Sequence, residues 1–401
     1  MHQAQSTPLR IIHCLRAPVG GLFRHVHDLA IAQAARGHQI GVIADSNAHD
    51  RLTEQRLADL SPHLALGLTR VPMTRDLGWH DITAYREIRA LLTRLNVNVL
   101  HGHGAKGGAY ARLVGASAKA MANSCNPTQL RVFYTPHGGS LHYPPSSLKG
   151  RVYLGLERRL AKSTDGLIFE SAYSSRIFAA NVGADLCPSA VIPNGVLPSE
   201  FGQHSPAENA TDIVFIGELR HLKGVDVLLH ALAQIRLHQN RALTATIVGE
   251  GPDAGQFKAL SFRLGLDRMV QFTGAMPAAK AFPLGHVMVM PSRAESFPYI
   301  VLEAAAASIP LVATAVGGIP EITAGTDTQL IIADDVSALA TALDRAFAEL
   351  PLAQQRAKRL QQAVAQRFTV DTMTTAVLKM YGIAADKTNA TAHRLALTAA
   401  E

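Results

Sequence analysis

At 401 residues the chain is too long for one ordinary domain, and its 48 % apolar composition allows two sizeable cores. Three sparse, widely spaced cysteines exclude a disulfide framework and a CxxC metal site. The N-terminus lacks the apolar core of a signal peptide, and Glu303 and Pro310 interrupt the most apolar stretch, so the sequence predicts a cytoplasmic protein without a membrane span.

Positive charge is concentrated in the first half of the chain. Residues 1–200 carry 21 Lys and Arg against 13 Asp and Glu, a net +8, whereas residues 201–401 carry 17 against 18, a net −1. A basic half indicates an anionic partner such as a membrane surface, a lipid phosphate or nucleic acid. The same charge would also suit solubility alone.

In chain order, short apolar runs alternate with segments of helical spacing. In the first half, strands are predicted over 9–15, 39–44, 97–101, 131–138 and 165–171, and helices over 25–37, 82–96 and 148–162. A polar, turn-rich stretch over 193–209 indicates a linker. In the second half, strands are predicted over 212–219, 244–251, 269–274, 287–292 and 310–318, with helices between and after them. This alternation is typical of doubly wound parallel sheets.

The segment GELRHLKG, residues 217–224, connects a predicted strand to a predicted helix. Arg220 and Lys223 lie three residues apart in this loop, beside the helix N-terminus, which adds about half a positive charge and free N–H groups. A diphosphate fits such a site, and a leaving nucleoside diphosphate needs one because negative charge builds on its oxygen. The alternative is an ordinary solvated loop.

Two carboxylates, Glu295 and Glu303, stand eight residues apart around a helix predicted to begin at about Pro298. Glu295, in the loop, can accept hydrogen bonds from sugar hydroxyls, and Glu303, in the helix, can bind ribose hydroxyls. Backbone N–H groups near Phe297 can meet phosphate. The alternative is a helix cap and a surface glutamate, which the apolar surroundings of Glu303 disfavour.

Two glycine-rich turns follow predicted strands. In GEGPDAG, Gly249 and Glu250 lie where the backbone can approach a ligand closely. GHGAKG, residues 102–107, matches the dinucleotide pattern formally but lacks an acid about 20 residues further on, so no nicotinamide site is expected. His101 and His103 have no nearby Asp, Glu or Cys to complete a metal site, and we expect them to line a cleft or bond to the backbone.

Together these segments resemble the family-4 retaining glycosyltransferases of GT-B fold. The matching pieces occur in family order from about residue 10 to 382: APVGGLFRHVHDLAIAQAARGH, YTPHG, VIPNGV, GELRHLKGVDVLL, IVGEGP, VQFTGA, the E-x7-E element and VATAVGGIPEI. The resemblance implies an α/β fold of two doubly wound, Rossmann-like parallel-sheet domains facing across a cleft. Residues 1–197 would form the acceptor-side domain, with a helix over about 368–383 returning to it, residues 198–367 the donor-binding domain, and 384–401 a loose tail.

The resemblance also implies residue roles. The expected catalytic residues are His137, which would face the donor sugar, Lys223 and Glu295. The expected donor-binding residues are Gly20, Gly21, Arg220, Lys223, Gly249, Glu250, Phe297, Pro298 and Glu303, and the expected cleft and hinge residues are His103 and Asn194. One position departs from the family, which often has arginine directly after the strand glycine where this chain has Glu218. Arg220 would have to substitute for that arginine.

The implied reaction is transfer of a sugar from a nucleoside-diphosphate donor to a glycan or lipid-linked acceptor of cell-surface polysaccharide synthesis. Retention of configuration is implied, and neither a metal nor a cofactor is expected. The basic first half predicts peripheral contact with the anionic inner face of the plasma membrane, through Arg86, Arg89 and Arg94 and through the basic, leucine-rich segment 148–162.

Three alternatives are open at this point: a sugar-nucleotide epimerase of the same fold, a phosphorylase, and a non-catalytic protein that binds a membrane or another polyanion. The E-x7-E element combined with the Arg/Lys loop counts against all three. A nucleic-acid partner is therefore not expected.

Overall fold

The structure is a computed structural model that describes residues 8–47, 51–74, 78–121, 130–138, 146–239 and 242–383. The chain divides into two compact units. Unit 1 extends to Pro193 and includes the residues from Val370 onward, and unit 2 is Asn194–Thr369. The sequence placed these boundaries at 197/198 and 367/368. The tail predicted over 384–401 lies outside the described residues.

Unit 1 is built on a seven-stranded parallel sheet. Its strands are β1 (Arg10–Leu15), β2 (Gln39–Asp45), β3 (Gly67–Val71), β4 (Val99–His103), β5 (Arg131–Thr135), β6 (Gly166–Phe169) and β7 (Ser189–Val191). Between them lie helices α1 (Gly20–Ala35), α2 (Arg51–Leu60), α3 (His80–Leu95), α4 (Gly104–Met121), α5 (Leu148–Ala161) and α6 (Ala172–Asn181). The strand order is β3-β2-β1-β4-β5-β6-β7, so β1 and β4 are neighbours from which the chain winds in opposite directions.

Unit 2 has a six-stranded parallel sheet. Its strands are β8 (Thr211–Ile216), β9 (Ala245–Val248), β10 (Val270–Gly274), β11 (Gly285–Met290), β12 (Leu311–Thr314) and β13 (Gln329–Ile331). Its helices are α7 (Val225–Gln239), α8 (Ala254–Arg263), α9 (Ala278–Ala281), α10 (Tyr299–Ala306), α11 (Ile319–Thr323), α12 (Val336–Ala348) and α13 (Leu350–Arg367). The order β10-β9-β8-β11-β12-β13 makes β8 and β11 the corresponding neighbours. The last helix, α14 (Val370–Ile383), belongs to unit 1 and packs against α1.

Alternation along the strands separates the core of unit 1 into two layers, because successive side chains point to opposite faces. On β1, Ile11 and Leu15 join the cluster that includes residues of α1 and α14, and Ile12 and Cys14 join the cluster that includes residues of α3 and α4. None of the described helices is both long and apolar enough to span a bilayer.

Glycines of α4 allow this helix to approach the sheet closely. A Cβ atom on Gly107 would lie 2.4 Å from the carbonyl oxygen of Cys14, and one on Gly108 would lie 2.1 Å from the ring of Tyr134. Close packing between helix and strand therefore requires glycine at the end of GHGAKG.

The sequence misplaced one boundary that matters for the site. Helix α1 was predicted to begin at residue 25, with Gly20 and Gly21 in a loop, but the helix begins at Gly20. Glycine is a poor helix former and was therefore interpreted as a break. Both glycines are exposed, and the first-turn N–H groups have no partner within a helix. The residue before the helix, Val19, supplies no side-chain cap.

Candidate active site

In unit 2 the loops after β8 and β11 leave the carboxyl edge of the sheet at the point where the winding direction changes. Ligands of open parallel sheets bind at such topological switch points. The loop after β8 carries residues 217–224, and the loop after β11 carries residues 291–298. The topology thus brings together the two sequence segments with the strongest indication of chemistry.

Lys223 and Glu295 meet at this edge. Lys223 ends a short 3-10 turn, His221–Lys223, and its Nζ lies 2.6 Å from Oε1 of Glu295. The hydroxyl of Ser292 donates to the same oxygen at 2.7 Å. Within the described residues Oε2 of Glu295 has no hydrogen bond, so a carboxylate oxygen is available to a ligand beside a held ammonium group.

Arg293 fastens the turn that carries Lys223, and the sequence did not single it out. Its guanidinium group donates to both oxygens of Asp226, at 2.9 and 2.7 Å, to Asp334 at 2.6 Å, and to the carbonyl of His221. Partial burial alone would raise the pKa of Asp226, but the hydrogen bonds and charge of Arg293 outweigh it and lower that pKa. The sequence contained one signal for this role, an arginine two residues before Glu295.

Glycine is required where the loops of this edge pack backbone against backbone. Gly249 has φ of +147°, and a Cβ there would lie 1.8 Å from the carbonyl oxygen of Gly217. Gly224 has φ of +70°, and its Cβ would lie 1.9 Å from the carbonyl oxygen of Pro291. Side chains at these positions would separate the loops. The neighbouring Glu250 is exposed.

Arg220 pairs with the residue that replaces the family arginine. Its Nη2 lies 3.0 Å from Oε1 of Glu218, and the two side chains are 50 % and 49 % exposed. Ion pairs at such exposure contribute little to stability, so a ligand can displace this one at small cost.

Three further residues predicted to bind the donor, Phe297, Pro298 and Glu303, lie just before or within α10. Phe297 is buried, its ring packs against Phe368 at 5.4 Å, and its carbonyl accepts a hydrogen bond from Asn194 Nδ2 at 3.0 Å. Pro298 precedes the helix, which begins at Tyr299 rather than at Pro298, and Glu303 lies half-buried in its middle.

In unit 1 the corresponding edge gathers histidines. His13 on β1 and His101 on β4 are register partners, and His103 lies two residues beyond His101 and therefore on the same face. His25 from α1 and His137 from the turn after β5 also approach this group, with ring centroids 4.9 Å apart. The sequence treated His101 and His103 as an isolated pair, but three more histidines surround them.

Some of these ring nitrogens have the spacing of metal ligands. Those of His13, His101 and His103 lie within 4.8 Å of one another, as do those of His25, His103 and His137. Each nitrogen of His13 and of His101, however, already has a hydrogen-bond partner at 2.8–3.0 Å. Hydrogen bonding within the protein therefore accounts for the cluster without an ion.

His13, His101 and His103 are neutral near pH 7. Burial lowers the pKa of His13 to about 4, against its ordinary value of 6.5. Burial also lowers the pKa of His101 and His103 well below that value, and the neighbouring histidines add to the effect.

His137 has a strained backbone and a fully engaged ring. Its φ is +50°, a left-handed conformation that costs about 1 kcal/mol or more in a residue other than glycine and is common at functional sites. Its Nε2 lies 3.1 Å from His103 Nδ1, and its Nδ1 lies 2.6 Å from Glu170 Oε1. Both ring nitrogens thus bond within unit 1. The expectation that His137 faces a donor sugar stays a prediction.

Comparison with known proteins agrees with this arrangement. Residues 19–200 match the model described as Glycosyltransferase Family 4, and residues 210–349 match that described as Glycosyl transferases group 1. The glycogen synthase of Mycobacterium tuberculosis is 28 % identical over 384 residues, which cover 90 % of this chain and 91 % of that protein. The D-inositol 3-phosphate glycosyltransferase of Streptomyces griseus is 35 % identical over 181 residues, or 42 % of this chain and 38 % of that one.

Among solved structures, Anabaena HepE in complex with UDP-glucose superposes with a TM-score of 0.75 at 20 % identity, over 93 % of this chain and 99 % of that one. Two parallel-sheet units with polar groups at their carboxyl edges, together with these matches, define a glycosyltransferase of GT-B fold. The chain belongs to the family-4 glycosyltransferases.

Proposed function

We propose that the protein transfers a sugar from a nucleoside-diphosphate sugar to a hydroxyl group of a glycan or lipid-linked acceptor, with retention of the anomeric configuration. The observation that carries the proposal is the contact between Lys223 and Glu295 at the switch point of unit 2. An ammonium group suits the diphosphate, and a carboxylate whose second oxygen has no hydrogen bond among the described residues suits sugar hydroxyls.

The reaction is a substitution at the anomeric carbon. The bond between this carbon and the β-phosphate oxygen breaks, and the acceptor oxygen bonds to the carbon from the same side. The acceptor proton goes to the leaving phosphate, which gives the glycoside and a nucleoside diphosphate. Lys223 stabilises the negative charge on the leaving group. Glu303, on α10, binds the ribose hydroxyls.

Two kinds of similarity support a sugar-nucleotide donor and a hydroxyl acceptor. The Anabaena neighbour was solved with UDP-glucose, and the two curated relatives are named for glycogen synthesis and for an inositol phosphate. We further propose that Lys223 and Arg220 supply the positive charge that other transferases obtain from a divalent metal, so that activity persists in EDTA.

A direct test begins with a thermal-shift screen of nucleotide-sugars, because a ligand at 100 times its dissociation constant stabilises a protein by about 2.7 kcal/mol. The stabilising donor is then incubated with glucan, inositol phosphate and lipid-linked acceptors, and the anomeric configuration of the product is determined by NMR. Products of retained configuration are expected. Inversion, or the absence of stabilisation by any nucleotide-sugar, would contradict the proposal.

We also propose that unit 1 meets an anionic membrane surface where lipid-linked acceptors are presented. On α5, Leu148 is 73 % exposed and Val152, one turn further, is 58 % exposed, with exposed Lys149 and Arg151 beside them. Leu154, on the same helix, is buried. Basic residues around exposed apolar ones are what an interfacial helix needs.

A further inference from the structure

A row of hydrogen bonds leads from the interior of unit 1 to His137. The first junction joins Gln33 Oε1 to His13 Nε2 at 2.8 Å, and the second joins His13 Nδ1 to His103 Nε2 at 3.0 Å. The third joins His103 Nδ1 to His137 Nε2 at 3.1 Å, and the fourth joins His137 Nδ1 to Glu170 Oε1 at 2.6 Å. Each of these four hydrogen bonds is called a junction here. The three imidazole rings take part in all four, and each of their six ring nitrogens is hydrogen-bonded.

The number of protons in this row follows from its two ends. Each junction holds one proton, because two acceptors or two N–H groups facing each other repel. The Gln33 oxygen at one end and the Glu170 carboxylate at the other can only accept, so the four junctions need four ring protons. Three neutral imidazoles supply three. The row in this arrangement therefore contains one imidazolium ion.

Gln33 can remove the need for the fourth ring proton. Its amide nitrogen is buried and makes no hydrogen bond of normal geometry among the described residues, although the Gln33 side chain also faces the hydroxyl of Tyr381 on α14. The two ends of an amide have nearly the same shape and are distinguished by their hydrogen bonds. If the amide turns over, its nitrogen donates to His13 Nε2, and three neutral rings complete the row. The two amide orientations thus correspond to proton contents that differ by one.

We propose that Gln33, His13 and His103 are positioning residues that couple the orientation of a buried amide to the charge of His137. In one state the row is neutral, and in the other His137 is an imidazolium ion beside Glu170. Only the consequence for catalysis rests on the proposed function. An imidazolium ion opposes the positive charge that develops on a sugar ring during glycosyl transfer, so the protonated state is the inactive one.

The surroundings place the additional proton on His137 rather than deeper in the row. Burial lowers the pKa of His13 to about 4, and burial with neighbouring histidines lowers that of His103. His137 alone contacts a carboxylate, that of Glu170, within the row. His25 on α1 packs against His137 edge-on, with ring centroids 4.9 Å apart.

Other titratable groups pack around the row, among them Tyr381, which faces the Gln33 amide. His101 on β4 has its ring centroid 4.0 Å from that of His103 and bonds to Tyr381 of α14 and Thr135 of β5. On α1, Arg24 and His27 contact Asp28.

The test is a pH titration of the full chain labelled with ¹⁵N at histidine, because ring ¹⁵N shifts report the protonation and tautomer of each imidazole. Gln33→Glu, when its carboxyl group is ionised, places an acceptor without a donor at the end of the row and fixes the four-proton arrangement. We expect it to raise the protonation midpoint of His137 by about one pH unit, a tenfold change in proton affinity, although two rings separate the residues. Thr135→Val, which removes a hydrogen bond from His101 outside the row, should leave that midpoint unchanged.

A double variant separates the row from a through-space effect. In a His103→Phe background the row is interrupted, so adding Gln33→Glu should no longer move the His137 midpoint. A shift that persists in this background, or no shift with Gln33→Glu alone, would overturn the proposal. If Gln33→Glu fails to fold, Gln33→Met, which neither donates nor accepts at this junction, should lower the midpoint, and an unchanged midpoint would overturn the proposal.

Two further measurements separate the row from a metal site and connect it to catalysis. Uptake of one equivalent of Co²⁺, followed by its absorbance and abolished by His103→Phe, would identify a metal site and refute the row. The acid limb of kcat/KM should move with the His137 midpoint in the Gln33 variants. The titration itself needs no substrate, so an absence of transferase activity would refute the proposed function and leave this proposal to the NMR result.

Discussion

Unit 1 and unit 2 present polar groups at the same topological position but hold them by different physical means. In unit 2, Lys223 and Arg293 are partly exposed, Glu295 is buried, and all three are charged and held by ion pairs. In unit 1, His13, His101 and His103 are at most 1 % exposed and are held by hydrogen bonds between neutral groups. The first edge thus presents charges, and the second presents hydrogen-bonded imidazole rings.

This difference follows from the free energy of burial. A charged group removed from water costs several kcal/mol unless it is paired, so charged residues remain near the surface, where a charged ligand can also reach them. A neutral imidazole can be buried completely once both nitrogens are bonded, but it is then sensitive to pH in the range where histidine titrates. Each unit should therefore respond to a different perturbation.

The largest effect is expected from removing the charge of unit 2. Lys223→Ala should lower kcat by about 10²–10³, as does the loss of one preorganised donor to a developing negative charge. The fold should survive because Lys223 lies in a partly exposed loop turn. Steady-state kinetics with circular dichroism would check this, with the exposed Lys280→Ala as the matched control. Near-normal turnover of Lys223→Ala would show that unit 2 does not act through this charge.

A different perturbation, mild acid, should separate the units in stability. His13, His101 and His103 have lower pKa values in the folded chain than when unfolded, so the unfolded chain binds protons first as pH falls. The contribution of these histidines to the free energy of unfolding of unit 1 is therefore fully present above pH 6.5. It decreases as the pH falls from 6.5 to about 4. His13 alone corresponds to about 3 kcal/mol over this range.

Unit 2 serves as the internal control for this acid effect. The lowered pKa of Asp226 contributes stability that is present above about pH 4 and is lost only below it. The pKa of His204, in unit 2, is also lowered, but this side chain is only half-buried. Hydrogen exchange measured at pH 7.5, 6 and 5 should show earlier loss of protection in β1 and β4 than in β8 and β11. Equal loss in both units would contradict the comparison.

Within unit 2 the two glutamates should divide the donor between them. Glu303→Gln should weaken a nucleotide-sugar and the free nucleoside diphosphate about tenfold alike, because both contain the ribose. Glu295→Gln should weaken the nucleotide-sugar about tenfold and the free nucleotide less, since its carboxylate is assigned to the sugar. Calorimetry with both ligands measures this, with the exposed Asp267→Asn as control. Equal effects of both changes on the free nucleotide would refute the division.

The fold was largely predictable because its buried strands are short apolar runs between turns, and β8 to β12 were all anticipated. Helix α4 was missed because its glycines, including Gly107 and Gly108, indicate a break, whereas they fit the helix against a strand and Tyr134. Local propensity does not contain that tertiary reason.

For the site, the resemblance to the family assigned Lys223 and Glu295 to one donor site, and the loops at the carboxyl ends of the strands do bring them together. It did not predict their direct contact, which spans 72 residues and depends on side-chain geometry. The histidine cluster was missed although His101 and His103 have the period of two that places them on one face of a strand. His13 and His137 join them only through the sheet order.

The smallest expected effect concerns the surface of unit 1, where the charge difference between the halves is tested directly. Replacing Lys149 and Arg151 with Gln leaves the apolar residues Leu148 and Val152 in place and removes two charges, each worth about 1 kcal/mol near an anionic bilayer, or roughly 30-fold together. Co-sedimentation with phosphatidylglycerol vesicles should fall by this factor, and binding of the unaltered chain should decrease with salt.

The pair Lys258→Gln and Lys280→Gln removes the same charge from exposed positions of unit 2 and should have little effect. Equal loss in both pairs would mean that net charge alone binds the vesicles, and no binding at low salt would leave unit 1 without a membrane surface and favour a soluble acceptor.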